Sequence, residues 1–319
     1  MNAVTPRIAG TAIRKSGCKA EKEKETKMVM GIPQVNKCFC KKACVLFLST
    51  VISCLPSGLA FASDLGLIEP AALNQHLSAW VVLDARPRSE WMAGRIPGAL
   101  SFSWENYTRT DEKGVPYRVW PPAELAAELG KMGIDENTPI VVYGDADKSW
   151  GGEGWDCWVL SWLGHKGPIR LLAGGIQSWR NNKFPLKEGG EQKKIHLFQY
   201  KFKIEPTLDI DTANLERQKS VFTIIDTRST IEWFKGRIPG AVHIPWTEFY
   251  SGRDRRPLSA DALKKLLRKE GVDINKPIVY YCAGGIRSAY AWLVHQLSGL
   301  PAARNYEGGF EAWKRMSSR

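Results

Sequence analysis

The sequence predicts an α/β fold built from two tandem, similar domains, each a mostly parallel sheet flanked by helices. Three observations predict it. The first is a long internal repeat. Asp84-Ala85-Arg86, Glu90-Trp91 and Gly94-Arg95-Ile96-Pro97-Gly98-Ala99 return as Asp226-Thr227-Arg228, Glu232-Trp233 and Gly236-Arg237-Ile238-Pro239-Gly240-Ala241, each pair 142 positions apart. Ile140-Val141-Val142-Tyr143 matches Ile278-Val279-Tyr280-Tyr281 at an offset of 138, and Gly174-Gly175-Ile176-Gln177-Ser178-Trp179 matches Gly308-Gly309-Phe310-Glu311-Ala312-Trp313 at 134. Solenoid units run to tens of residues, so a repeat this long signals duplicated domains. The second is that short apolar strands alternate with helical stretches inside each copy, as in a parallel sheet covered on both faces. The third is bulk: 319 residues, 44% hydrophobic and 24% charged, suit a globular chain of two ordinary domains.

Residues 1–62 read as an N-terminal extension and signal peptide. Lys37, Lys41 and Lys42 form a positive region, Ala43 to Leu55 an apolar core, and Ala60-Phe61-Ala62 an A-x-A site before Ser63. The apolar run is too short for an ordinary spanning helix, so no membrane span is expected in the mature chain. The expectation is export, to a periplasm; the alternative is a lipid anchor at Cys54, since Val51-Ile52-Ser53-Cys54 loosely matches a lipoprotein box. Residues 1–27 precede Met28 and fit no part of a signal. The net charge of +12 is concentrated here: ten Lys or Arg and three Glu precede residue 63, leaving 35 basic against 30 acidic residues. No basic stripe with interleaved aromatics stands out in that remainder, which argues against nucleic acid as a partner.

The first domain is expected over 63–186, a connecting linker over 187–206 and the second domain over 207–319. In the second, Val221-Phe222-Thr223-Ile224-Ile225 is a strand candidate. Ser259-Ala260-Asp261-Ala262-Leu263 opens a helix continued by Leu266 and Leu267. Ile278–Tyr281 is the next strand and Ser288 to Leu297 the next helix. In the linker, Leu197-Phe198-Gln199-Tyr200 is placed to pack on a domain.

Cys282-Ala283-Gly284-Gly285-Ile286-Arg287 lies between that strand and that helix. A cysteine leaving a buried strand, a glycine-bearing loop and an arginine opening a helix direct N–H groups, a helix N-terminus and a cation at one sulfur. All three favour a thiolate. Gly284 and Gly285 let the backbone curl inward, and Arg287 offers a fork of donors to an anion. Cys282 is the candidate nucleophile, and Ala283, Gly284, Gly285, Ile286 and Arg287 are the candidate substrate cradle. Five of the seven cysteines precede residue 63, leaving Cys157 and Cys282, too few for a disulfide framework. Cys157, with Leu160 and Leu163, reads as helix core.

Together the paired D-x-R, G-R-I-P-G-A, strand–Cys–loop and G-G-x-x-x-W signatures resemble the tandem-domain rhodanese sulfurtransferases, over about residues 64 to 319. The resemblance implies catalysis at Cys282 and a silent first domain, whose matching position is Gly144 and whose longer loop, Asp145 to Gly152, lacks nucleophile and closing arginine. It implies sulfane-sulfur transfer from thiosulfate or a similar small-molecule donor to a thiophilic acceptor, cyanide or a thiol, with a sulfur-accepting protein as a further candidate partner. This covalent scheme needs no cofactor or metal. Four residues separate Cys282 from Arg287, whereas the related phosphatases use five, so the loop favours sulfur chemistry. Relatives often carry a substrate-binding arginine where this chain has Glu232, which leads to the expectation of weak binding of an anionic donor. Asp226 and Arg228, repeated as Asp84 and Arg86, read as supporting strand-end ion pairs. The rival reading is a non-catalytic sulfane-sulfur carrier. The five histidines show no metal-ligand spacing, and no phosphate-binding G-x-x-x-x-G-K-[ST] occurs.

Overall fold

The computed structural model describes residues 63–190 and 197–317, all within one compact unit. The expected export signal, its A-x-A site, Cys54 and Met28 lie outside the described residues.

In the first domain the strands are β1 (Leu65–Ile68), β2 (Val81–Asp84), β3 (Leu100–Ser101), β4 (Thr108–Arg109), β5 (Arg118–Val119), β6 (Ile140–Tyr143) and β7 (Ile169–Leu172). Its helices are α1 (Pro70–Gln75), α2 (Arg88–Ala93), α3 (Trp104–Tyr107), α4 (Pro122–Lys131), α5 (Gly152–Trp162) and α6 (Gly175–Asn181). The second domain adds β8 (Thr223–Asp226), β9 (Val242–His243), β10 (Tyr250–Ser251), β11 (Arg256–Pro257), β12 (Ile278–Tyr281) and β13 (Ala303–Asn305). Its helices are α7 (Thr212–Gln218), α8 (Thr230–Phe234), α9 (Ala260–Lys269), α10 (Ile286–Leu297) and α11 (Gly309–Ser317).

Each domain holds a parallel sheet, ordered β1-β7-β6-β2-β3 in the first and β13-β12-β8-β9 in the second. The strands are apolar runs because both faces are buried. Alternate residues of β6 point to opposite sides: Ile140 and Val142 join one cluster, Val141 and Tyr143 another. The cluster containing Ile140 is shared by both domains. It runs through Trp155 and Trp158 of α5 into Tyr290 and Leu293 of α10. These helices cross at backbone distance: Gly154 has no room for a Cβ beside the Tyr290 backbone. Each domain also sends out a short antiparallel hairpin, β4–β5 and β10–β11.

The strand Ile278–Tyr281 lies where the sequence predicts it. The earlier strand of this domain starts at Thr223 instead of Val221, which is exposed. The following helix starts at Ile286, two residues before the expected Ser288, because Gly285 in a left-handed conformation (φ 83°) caps it. Ser259 caps α9 through its side chain, accepting from the Ala262 amide. In the linker, Tyr200 is buried and stacks on His165, and the Phe198 amide donates to the Gly130 carbonyl, while Leu197 and Phe198 stay exposed.

Candidate active site

Cys282 sits at the C-terminal end of β12, the usual position for reactive groups in open parallel sheets. Its neighbours support the loop from behind. The Phe310 amide donates to the Cys282 carbonyl at 2.8 Å, and the Glu311 amide donates to the Ala283 carbonyl at 3.1 Å. A Cβ on Gly309 would strike the Ala283 carbonyl, which explains the glycine that opens α11. Cys282 is nearly closed off, at 2% exposure. Ser288, on the first turn of α10, holds its hydroxyl 3.6 Å from the sulfur. That hydroxyl donates at 2.6 Å to Asn305, whose amide donates in turn to the Gly285 carbonyl at 3.0 Å. The hydroxyl has one proton and the shorter bond takes it, so Ser288 turns a lone pair toward the sulfur. Neither Ser288 nor Asn305 was singled out from sequence; the signal available was a serine one residue beyond the loop.

Arg287 differs from the expectation. Its guanidinium donates to both carboxylate oxygens of Glu232, at 2.7 and 2.8 Å, with both groups partly shielded from water. Glu232 is placed by its own helix. Ser229 caps α8, and the Glu232 side chain accepts from the Ser229 amide to close a capping box. The hydrogen bonds from Arg287 hold the Glu232 carboxyl down at about 2 despite its burial. Burial works against the charged form of Arg287, but Glu232 and the Cys282 sulfur outweigh it and raise its pKa. The loop arginine is therefore a matched charge. Glu232 is its counter-ion, where the sequence suggested only the replacement of a substrate-binding arginine.

Asp226 and Arg228 form a buried two-pronged ion pair at the end of β8, with Arg228 Nη2 2.6 Å from Asp226 Oδ2. The Tyr281 hydroxyl donates to Asp226 and Arg228 donates to the Gly236 carbonyl, tying three segments together. Asp84, Arg86, Tyr143 and Gly94 repeat the arrangement in the first domain. A pair so buried is expensive to open, and its presence in both copies makes it scaffold beneath each loop.

In the first domain the equivalent cradle is filled. The Glu153 carboxyl occupies the space that a side chain at Gly144 would need. Glu153 stands second in α5 as Arg287 does in α10, so a carboxyl replaces the loop cation and lies where the sulfur would be. Burial raises its pKa, while a hydrogen bond donated by Tyr250 at 2.6 Å opposes that. Lys148 of this loop pairs with Glu90 at 2.6 Å, echoing Arg287 and Glu232. Cys157 lies one turn further along α5, fully buried, and burial pushes its thiol well above the ordinary value.

The first domain also covers the Cys282 loop. Tyr117, at the turn of the β4–β5 hairpin in a left-handed conformation (φ 64°), sits where a Cβ on Gly284 would be. The next two residues are held by the buried Glu307 between Tyr306 and the glycine pair. Arg118 lies 2.5 Å from it and the Val119 amide donates to it at 2.6 Å. Exposed Trp150 precedes Gly151, which abuts Arg287. Tyr117, Glu307 and the Trp150 position come from chain segments far apart in sequence.

The Rhodanese-like domain model matches twice, over residues 69–182 and 211–316. The chain is 24% identical over 241 residues to 3-mercaptopyruvate sulfurtransferase of Escherichia coli K12, covering 72% of this chain and 84% of that protein. It is 27% identical over 248 residues to thiosulfate sulfurtransferase of Gallus gallus, covering 71% and 80%. The crystal structure of the Escherichia coli 3-mercaptopyruvate sulfotransferase SseA superposes with a TM-score of 0.68 at 22% identity, over 78% of this chain and 99% of that one. With a family match over both copies of its repeat, this chain belongs to the rhodanese family as a tandem-domain member.

Proposed function

We propose that the protein is a sulfurtransferase that carries a sulfane sulfur on Cys282, with the first domain catalytically silent. The observation that carries this reading is one shielded sulfur at a strand end, cradled by a loop of four residues and backed by α10. The Cys282 thiolate attacks the outer sulfur of the donor. With thiosulfate, the donor S–S bond breaks, its electron pair leaves on sulfite, and a cysteine persulfide remains. A thiophile such as cyanide or a thiol then attacks the outer sulfur, and the electron pair of the persulfide bond returns to Cys282.

The ion pair bears on the donor. With Arg287 matched by Glu232, no uncompensated side-chain cation of the loop faces a dianion, and binding rests on loop amides. Thiosulfate use should therefore be measurable but weak. The same observation favours a second donor of lower charge, a mercapto acid such as 3-mercaptopyruvate, after which several relatives are named. There the C–S bond breaks and the carbon takes up a proton, giving pyruvate. Export to a periplasm is part of the proposal and rests on residues 28–62. N-terminal sequencing of the protein from its native host should find a start near Ser63.

Intact-mass measurement with each donor, followed by turnover with cyanide, tests the reaction. One added sulfur that Cys282→Ser cannot acquire is expected, with repeated turnover; a carrier would load once and stop. Cys157→Ser should keep most turnover, at a stability cost of about 1–3 kcal/mol for a hydroxyl in apolar packing. A folded Cys157 variant without activity would replace the one-cysteine scheme.

A further inference from the structure

Helix α8, which supplies the Glu232 partner of the loop arginine, also carries the most unusual surface in the second domain. Ile231 and Phe234, three residues apart and so on one face, are 70% and 77% exposed. The duplicated first domain serves as an internal control. In α2 the matching positions are Ser89 and Met92, and the linker lies against that helix: the Gly189 amide donates to the Met92 carbonyl, and Gly190 sits beside the Met92 methyl. Among the described residues nothing covers Ile231 and Phe234 in this way. The helix with a serine and a partly covered methionine, Met92 at 43% exposure, belongs to the filled cradle, and the one with two more open apolar side chains to the cradle that holds Cys282.

Charge adds to the pattern. Lys235 and Arg237 follow directly and are exposed, and among the described residues neither has a carboxylate partner. Arg237 lies over the Trp233 ring instead. The one acid of the helix, Glu232, is committed to Arg287. Apolar side chains beside uncompensated cations fit a partner that offers the reverse, apolar anchors flanked by carboxylates.

We propose that α8 docks a protein sulfur acceptor whose thiol-bearing segment is acidic and apolar. This rests on the sulfurtransferase reading of Cys282. The acceptor thiolate attacks the outer sulfur of the persulfide, the Cys282 S–S bond breaks with its electron pair returning to Cys282, and the acceptor leaves as the new persulfide.

The test loads the full chain with sulfur, confirms the load by intact mass, and offers four acceptors. These are a peptide with one cysteine among Asp, Glu, Leu and Phe, the same peptide with Lys in place of the acids, free cysteine, and cyanide. The acidic peptide should accept sulfur roughly tenfold faster than the lysine peptide. In the double variant Ile231→Ser, Phe234→Ser that ratio should fall toward one while transfer to cyanide is unchanged. Equal rates for both peptides on the unaltered chain, or a ratio that survives in the double variant, would overturn the proposal. So would a dimer in sedimentation that the double variant dissolves, since the ridge would then belong to a second copy. A chain that takes up no sulfur at Cys282 overturns the sulfurtransferase reading, and this proposal with it.

Discussion

Glu232 shows how much one side chain alters a site. Its carboxylate holds Arg287 by two hydrogen bonds and is itself held by the Ser229 cap. Glu232→Gln keeps the cap, since glutamine also serves in a capping box, but removes the counter-charge. Thiosulfate KM should fall roughly three- to tenfold as Arg287 becomes available to the dianion, and steady-state kinetics with thiosulfate and 3-mercaptopyruvate would show it. The sign of the pH effect follows from the lowered carboxyl. The pair contributes fully above the unfolded value near 4.3 and is lost as pH falls through about 2. The effect of Glu232→Gln should therefore be constant across neutral pH; one that vanished between pH 6 and 8 would point to another group.

At the scale of elements, the β4–β5 hairpin and the segment that leads into α11 hold the Cys282 loop between them. Gly284 lacks a side chain because Tyr117 occupies that space. Gly284→Ala should displace the hairpin and cost about 1–3 kcal/mol of stability by overpacking. Adding Tyr117→Gly, at a backbone conformation glycine favours, should restore much of it, and a double-mutant cycle in denaturant would measure the coupling. Glu307 adds a pH dependence. Burial pushes its carboxyl up to about 8 even with Arg118 against it, and Asp209 beside it to about 6. A raised carboxyl binds protons in the folded state that the unfolded chain has released. Its stabilisation is therefore full below about pH 4.3 and declines until pH passes the folded value. Stability should fall between pH 6 and 8, and Glu307→Gln should flatten that decline in denaturant midpoints. A decline that persists in the variant would assign it elsewhere.

Across the whole molecule, the two domains share one apolar core through α5 and α10. Gly154 is where the helices meet backbone to backbone. Gly154→Val should force them apart, costing at least about 1–3 kcal/mol and loosening the cover that the first domain provides to the Cys282 loop. Unfolding followed by tryptophan fluorescence and by circular dichroism should coincide in the unaltered chain and separate in the variant. Coincident curves in both would mean the interface tolerates the change.

The repeat, the apolar strands and the Cys282 loop were legible in the sequence because each is local. A buried parallel strand must be apolar, a tight loop needs glycine, and a duplicated domain repeats its own spacing. Cys157 as core and the Asp226–Arg228 pair as scaffold were readable for the same reason. What the tertiary structure decided are contacts between distant segments. Glu232 meets Arg287 across 55 positions, Val119 meets Glu307 across 188, and the Glu153 carboxyl fills the space beside Gly144. A charge read alone gives the sign of a field, but whether that field reaches a substrate depends on the group folded against it. The sequence by itself thus determined the fold and the position of the candidate nucleophile, while chain packing decided that the loop arginine is neutralised and that the first domain covers the loop.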